Sequence, residues 1–143
     1  MNSATNGYLE KWGLLPLRFV VALVFFMHGE QKVFDFGVSG VADLLSKLGF
    51  VYPTFFAVVL MIVELAGGFA ILFGFFTRIA GFVLAVEMAI AIYVARLRGG
   101  FFTPNGFEFE LTLMGACLTF AAVGAGGASL DALMRSRSAK AAP

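Results

Sequence analysis

The chain has 143 residues, of which 60% are hydrophobic and only 13% charged, with a formal net charge of +1. Mean hydropathy is +0.92. So few charges cannot solvate a globule of this size, which excludes an ordinary water-soluble domain. The near-neutral balance, without a long basic run, excludes a phosphate-tracking groove, so nucleic acid is not an expected partner. There is one cysteine, Cys117, and one histidine, His28. One chain therefore cannot form an internal disulfide, a CxxC redox pair, a cysteine-ligated iron–sulfur cluster, a structural zinc site or a bis-histidine haem. No metal site and no cofactor bound by this chain alone are expected.

Residues 1–13 are polar, and Lys11 precedes an apolar stretch that runs into His28-Gly29-Glu30-Gln31-Lys32 without a small-residue cleavage site. The stretch reads as an uncleaved first span, from about Leu14 to Phe34. In the connection from Asp35 to Pro53, Val41, Leu44, Leu45 and Leu48 recur at i, i+3, i+4 and i+7. With Ser39 as N-cap and Gly49 as C-cap, this predicts a short amphipathic helix lying on the membrane face as a lid. Thr54 to Phe76 and Thr77 to about Leu97 are the second and third spans, joined by a tight hairpin at Gly74-Phe75-Phe76-Thr77-Arg78. A turn-rich link, Gly99 to Gly106, leads to a fourth span from about Phe107 to Val123. Each segment is close to the roughly 20 residues a bilayer core requires, and each must be helical to satisfy its own backbone. The expected fold is all-α and integral to the membrane: a four-transmembrane-helix bundle with a short amphipathic interfacial helix between the first and second spans.

Four spans put both termini on the side of the Arg78 turn. That side collects Lys11, Arg18, Arg78, Arg135, Arg137 and Lys140, against Lys32, Lys47, Arg96 and Arg98 opposite. The excess predicts cytoplasmic termini. Tyr8 and Trp12 on one side, and Tyr52, Phe101, Phe102 and Phe107 on the other, fit interfacial aromatic belts. Residues 1–13 then form a cytoplasmic segment, 14–133 the membrane domain, and 134–143 a flexible cytoplasmic tail, with fraying expected after Asp131.

Of the ionisable residues inside the apolar stretches, five stand out: Arg18, His28, Lys32, Glu64 and Glu87. A single charge at a helix centre costs roughly 2.5–3.5 kcal/mol on insertion scales. On the first span, Arg18, His28 and Lys32 fall on one face, spread along about 21 Å of axis. Glu64 has Gly67 and Gly68 one turn on, and Glu87 shares its face with Ala80, Ala91 and Ala95, so both acids sit where a neighbouring helix can approach. One reading is an ion-pair core that fixes helix register. The other is a polar ligand pocket or proton path lined by all five residues. Within it His28 would exchange protons or bond a carbonyl-bearing ligand such as a quinone, its alternative being packing. Lys32 has snorkelling to the interface as its alternative, and Arg18 has lipid anchoring. Glu108 and Glu110 are expected to pair with Arg96 or Arg98, and Cys117 to be inert packing. No residue is assigned a catalytic role.

Arg18 and His28-Gly29-x-x-Lys32 come first, then Glu64 with Gly67-Gly68, the Gly74-Phe75-Phe76-Thr77-Arg78 hairpin and Glu87. Gly99-Gly100-Phe101-Phe102, Gly106-Phe107-Glu108 and Gly124-Ala125-Gly126-Gly127-Ala128-Ser129-Leu130-Asp131 follow. In this order, over roughly residues 14–133, the set resembles the DoxX family of small four-helix bacterial and archaeal membrane proteins. A proline is expected among the closing glycines, where this chain has Ala125. The family takes its name from a subunit of an archaeal thiosulfate:quinone oxidoreductase, and a mycobacterial member is associated with a membrane oxidoreductase complex. The resemblance implies a membrane subunit or anchor of a quinone-linked redox complex, an accessory chain and not a self-sufficient enzyme. Its partners would be the bilayer, other membrane or peripheral subunits, or further copies of itself. The alternatives are a non-catalytic assembly subunit and a small proton-coupled carrier.

Overall fold

The computed structural model describes Gly7 and residues 11–141. Tyr8 and most of the N-terminal segment lie outside the described residues. Helix α1 (Leu15–Gln31) runs through a wider π-helical turn, Lys32–Phe36, into the short α2 (Gly37–Lys47). Then come α3 (Pro53–Phe73) and α4 (Thr77–Ala91), the latter prolonged by a π-helical turn at Ile92–Arg96 and a 3-10 turn at Leu97–Gly99. Helices α5 (Glu108–Val123) and α6 (Leu130–Ala141) complete the order, and no strand occurs among the described residues. Prolines at the first turns of α1 and α3 start those helices where a missing N–H costs nothing.

Among the described residues two helices are long and apolar enough to cross a bilayer: Pro53–Phe73 and Thr77–Gly99, with mean hydropathies of 2.5 and 1.9. Helices α1 and α5 are shorter, at 17 and 16 residues. The amphipathic connection is helical as its spacing predicts, and Val41, Ala42 and Leu45 pack on Ala57 and Met61 of α3. Ser39 lies inside α2 and does not cap it; Gly49 follows the helix at φ +90°.

Helix α1 packs along α3, α3 turns back into α4, and α4 packs along α5, while α1 meets α5 only sparsely. Phe25, Ile71, Leu84, Cys117 and Phe120 fill the centre, each at most 1% exposed. The close pairs cross at glycine. A Cβ on Gly68 would stand 3.2 Å from the backbone of Ala22 and Phe26, and one on Gly81 would stand 2.7 Å from the Cys117 carbonyl. Phe19, Phe55, Ile62, Phe69, Phe82 and Leu118 all point outward, which gives the bundle an apolar exterior.

At the α3–α4 turn the chain is closed by its own distant parts. Gly74, at φ +65°, ends α3, and the Phe75 N–H returns to the Ala70 carbonyl at 2.9 Å, which satisfies the helix end. Helix α4 has no local side-chain cap. Asp131 supplies one from across the bundle, accepting from Phe76 N at 2.8 Å and Thr77 N at 3.0 Å. The segment 124–131 thus passes beneath the turn as a strap, held by Asp131 N to the Gly74 carbonyl and by Ala128 N to the Lys11 carbonyl. Beyond it the expected frayed tail is instead helix α6. The Ser129 hydroxyl accepts from Ala132 N at 3.2 Å, and an acid in the first turn with a base in the last matches the helix dipole.

Two outcomes follow from the strap. Gly74→Ala combines a left-handed backbone that is costly for alanine with a collision against the Ser129 and Arg18 side chains. It should cost about 2–5 kcal/mol, read as lost thermal stability in detergent. Burial alone would raise the Asp131 carboxyl, but the Thr77 and Phe76 N–H groups and nearby Arg135 outweigh it and hold it below the ordinary range. Its capping contribution is therefore complete above the unfolded value of about 3.9 and fades as pH falls through the lower folded value. Asp131→Ala should cost about 1 kcal/mol at neutral pH. Melting curves of the two proteins should converge as pH drops below 4, roughly where the cap is lost.

Candidate functional site

Near the far end of the bundle, three of the five ionisable residues meet. Lys32, the first residue of the π-helical turn on α1, donates from Nζ to Glu64 Oε1 of α3 at 2.7 Å. Their side chains are 17% and 4% exposed. Glu87 of α4 lies within hydrogen-bonding reach of the Glu64 carboxyl and within electrostatic range of Lys32. The close α1–α3 crossing makes this possible. Gly29, one turn before Lys32, leaves room for the Leu65 side chain that a Cβ would strike. Leu84, Met88, Leu113 and Cys117 belong to the same buried core and make the surroundings apolar. Cys117 lies within range of Glu87, the one neighbour that qualifies its reading as plain packing.

Glu64 Oε2 and Glu87 Oε2 are buried without a donor among the described residues. Each acid faces the other, and ionised carboxylates only accept. A hydrogen bond between them exists only when one carries a proton. Two acids against one ammonium also carry one surplus negative charge if both are ionised, and one shared proton removes it. The geometry thus brings two carboxyl groups and one ammonium together with two buried carboxylate oxygens left without a donor among the described residues.

The other two residues are elsewhere. Arg18 is 2% exposed and about 21 Å along α1 from Lys32. Its guanidinium donates only to carbonyls: Ile71 at 2.9 Å and Leu72 at 2.5 Å in the last turn of α3, and Ala125 at 3.2 Å and Ala128 at 2.7 Å in the strap. It is not part of the acid–base cluster but a bolt through the α3–α4 end. His28 is exposed. The buried stripe of α1 centres on Arg18, Ala22, Phe25 and Gly29, and His28 lies about 80° from Arg18, at its edge. The ring lies in the sparse α1–α5 seam, 6.0 Å from the Phe109 ring and inclined by 28°. Its Nδ1 is 2.9 Å from the Val24 carbonyl. A carbonyl can only accept, so Nδ1 carries the proton and Nε2 of the neutral ring is an acceptor.

Arg96 pairs with Glu110 at 2.9 Å, and Glu108 accepts from Thr103 N at 2.9 Å and Thr103 Oγ1 at 2.6 Å. The first is a pairing the sequence anticipates; the second is not. A surface depression of about 350 Å³ is lined by Leu15, Pro16, Arg18, Phe19 and Leu72, well away from the acid–base cluster. Among the described residues no group of His, Cys, Asp and Glu is disposed to hold a metal ion.

Comparison with known proteins places this architecture. The chain is 35% identical over 101 residues to a Bacillus subtilis protein named "Putative oxidoreductase CatD", covering 71% of this chain and 72% of that one. It is 35% identical over 130 residues to an uncharacterized protein of Haemophilus influenzae, covering 86% and 93%. With the inner membrane protein YqjF of Escherichia coli it shares 30% identity over 136 residues, covering 90% and 97%. No solved structure matches it. The DoxX family model matches residues 13–97, more than half of the chain, and this protein belongs to the DoxX family.

Proposed function

We propose that this protein is a multi-pass subunit of a quinone-linked redox complex in the bacterial inner membrane, with Lys32, Glu64 and Glu87 as its proton-handling element. The observation that carries the reading is the buried cluster itself, two facing acids and one base in an otherwise apolar bundle. Ionisable groups in such surroundings are retained for function by default. Membership of a family with inner-membrane relatives, one of them named an oxidoreductase, supports the setting.

In this reading α1 and α5 cross the bilayer beside α3 and α4. The charged last turn of α1 and the acidic first turn of α5 lie at the outer interface, and both termini face the cytoplasm. His28 waits at the α1–α5 seam, the loosest of the bundle, with Nε2 free to accept from the hydroxyl of a quinol whose ring lies against Phe109. In this reading the chain contributes the proton site, and electron transfer is the work of a partner subunit. A structural reading also has an observation behind it: the direct Lys32–Glu64 pair fixes the register of α1 on α3.

The two readings part on neutral substitutions. Glu87→Gln keeps shape and hydrogen bonding but removes the exchangeable proton. It should lower quinol-linked turnover of the purified native complex at least about tenfold, the lower range of general acid–base effects. The amount of complex recovered should not change. Unchanged turnover with normal assembly would leave only the structural role. His28→Ala should weaken quinone retention in the same preparation, measured by extraction and mass spectrometry, without loss of folded protein. Lys32→Met strands a buried carboxylate and should cost about 3–5 kcal/mol, whereas Lys32→Met with Glu64→Leu should recover most of that in thermal melts.

A further inference from the structure

The end of the molecule opposite the acid–base cluster carries cations that the fold does not use. Asp131 is the one carboxylate there among the described residues, and the α4 N–H groups occupy it. No ion pair forms at this end among the described residues. Arg78 lies against Gly124, Lys11 lies against Gly127, and Arg135 stands near Asp131, so these three flank the strap. Arg137 and Lys140 follow on α6, both exposed.

Helix α6 is divided along its length. Its first turn and a half exposes Leu130, Leu133 and Met134, at 43%, 47% and 41%, within about 100° of one another on the helix. The cations begin at Arg135. Trp12, 40% exposed with Lys11 Nζ 5.2 Å over its ring, adds an apolar tip beside a charge on the neighbouring segment. A surface facing only water has no use for three large apolar side chains next to five cations, and a protein partner would need a matching acidic face. The headgroup layer of an anionic leaflet meets both demands at once, because it lies directly alongside hydrocarbon.

We infer that the strap end and α6 form a seat for anionic phospholipid. Leu130, Leu133 and Met134 reach the acyl boundary, and Lys11, Arg78, Arg135, Arg137 and Lys140 contact lipid phosphates. The inference rests on the membrane-spanning reading above but not on the redox assignment. Its occupant is phospholipid and not a free phosphate, since only a lipid supplies the apolar half.

The test uses the full chain in nanodiscs of phosphatidylcholine alone or mixed with phosphatidylglycerol, with Leu133→Trp introduced in a Trp12→Phe background. In the anionic discs the indole should emit to the blue and be quenched by brominated acyl chains. In neutral discs, and in anionic discs after Arg135→Gln, Arg137→Gln and Lys140→Gln together, the emission should return to that of an indole in water. Water-like emission in both lipids, or equal quenching in both, would overturn the inference. Inorganic phosphate added to neutral discs should change nothing; a blue shift there would assign the cations to a free anion. A Leu118→Trp control on the exposed face of α5 separates the two levels. Without quenching by brominated lipid there, the spanning reading itself fails, whereas a quenched control with an unquenched α6 sinks only the lipid seat.

Discussion

Everything in this fold is arranged around one buried cation, the guanidinium of Arg18. Its donors reach four carbonyls in two segments that lie 53 to 110 residues away in the chain. Two of those carbonyls are in the last turn of α3, where the helix leaves acceptors without partners. The other two belong to a strap that has no regular structure to satisfy it. One planar group with five fixed donors meets all of them, which a lysine could not do. Asp131 completes the closure from the opposite side by serving the donors at the start of α4. The two ends of a helical hairpin, which must otherwise seek water, are sealed by residues from the first helix and the last connection.

That closure determines what remains at the other end. With α1 bolted at Arg18, its axial position against α3 is fixed, and close crossings at Gly68 and Gly29 carry the register upward. The next polar position on the same stripe is Lys32, which arrives opposite Glu64. Here the backbone widens into a π-helical turn, a feature that often marks functional sites and that redirects the following side chains. The matching widening on α4 begins one turn after Glu87 and carries Arg96 toward Glu110.

Much of the architecture is legible in the chain as written. Helix positions follow from apolar runs, and α2 follows from the i, i+3, i+4, i+7 spacing of its leucines and valine. The meeting of Lys32, Glu64 and Glu87 is anticipated because their faces are small-residue faces. His28 is different: it lies about 20° outside the buried stripe, whose edge on that side is Val21, and angular arithmetic cannot say where that edge falls. Direction alone groups Arg18 with the cluster, although its depth along α1 puts it at the other end. Its true partners are carbonyls, and backbone acceptors leave no mark in a sequence. The one signal in the sequence is the glycine-rich run from Gly124 to Asp131 together with Gly74, two stretches with no reason to be so small unless something passes close. Helix α6 is hard to read for a related reason. Its cap, Ser129, lies inside that same run, and its composition alone resembles a solvated tail.

The two polar groupings of the bundle answer the same physical demand in opposite ways, and the contrast argues where chemistry can occur. At Arg18 four carbonyls meet the donors of a group that does not lose its proton, so nothing there can change state. At Lys32 the acceptors outnumber the charged donor, and two buried carboxylate oxygens lack a donor of their own. A purely structural ion pair would be complete with Glu64 alone. Glu87 adds desolvation cost and like-charge repulsion without contributing a bond that a neutral glutamine could not make. Its presence is explained if the third group is there to carry a proton in and out of an arrangement that the rest of the fold holds still.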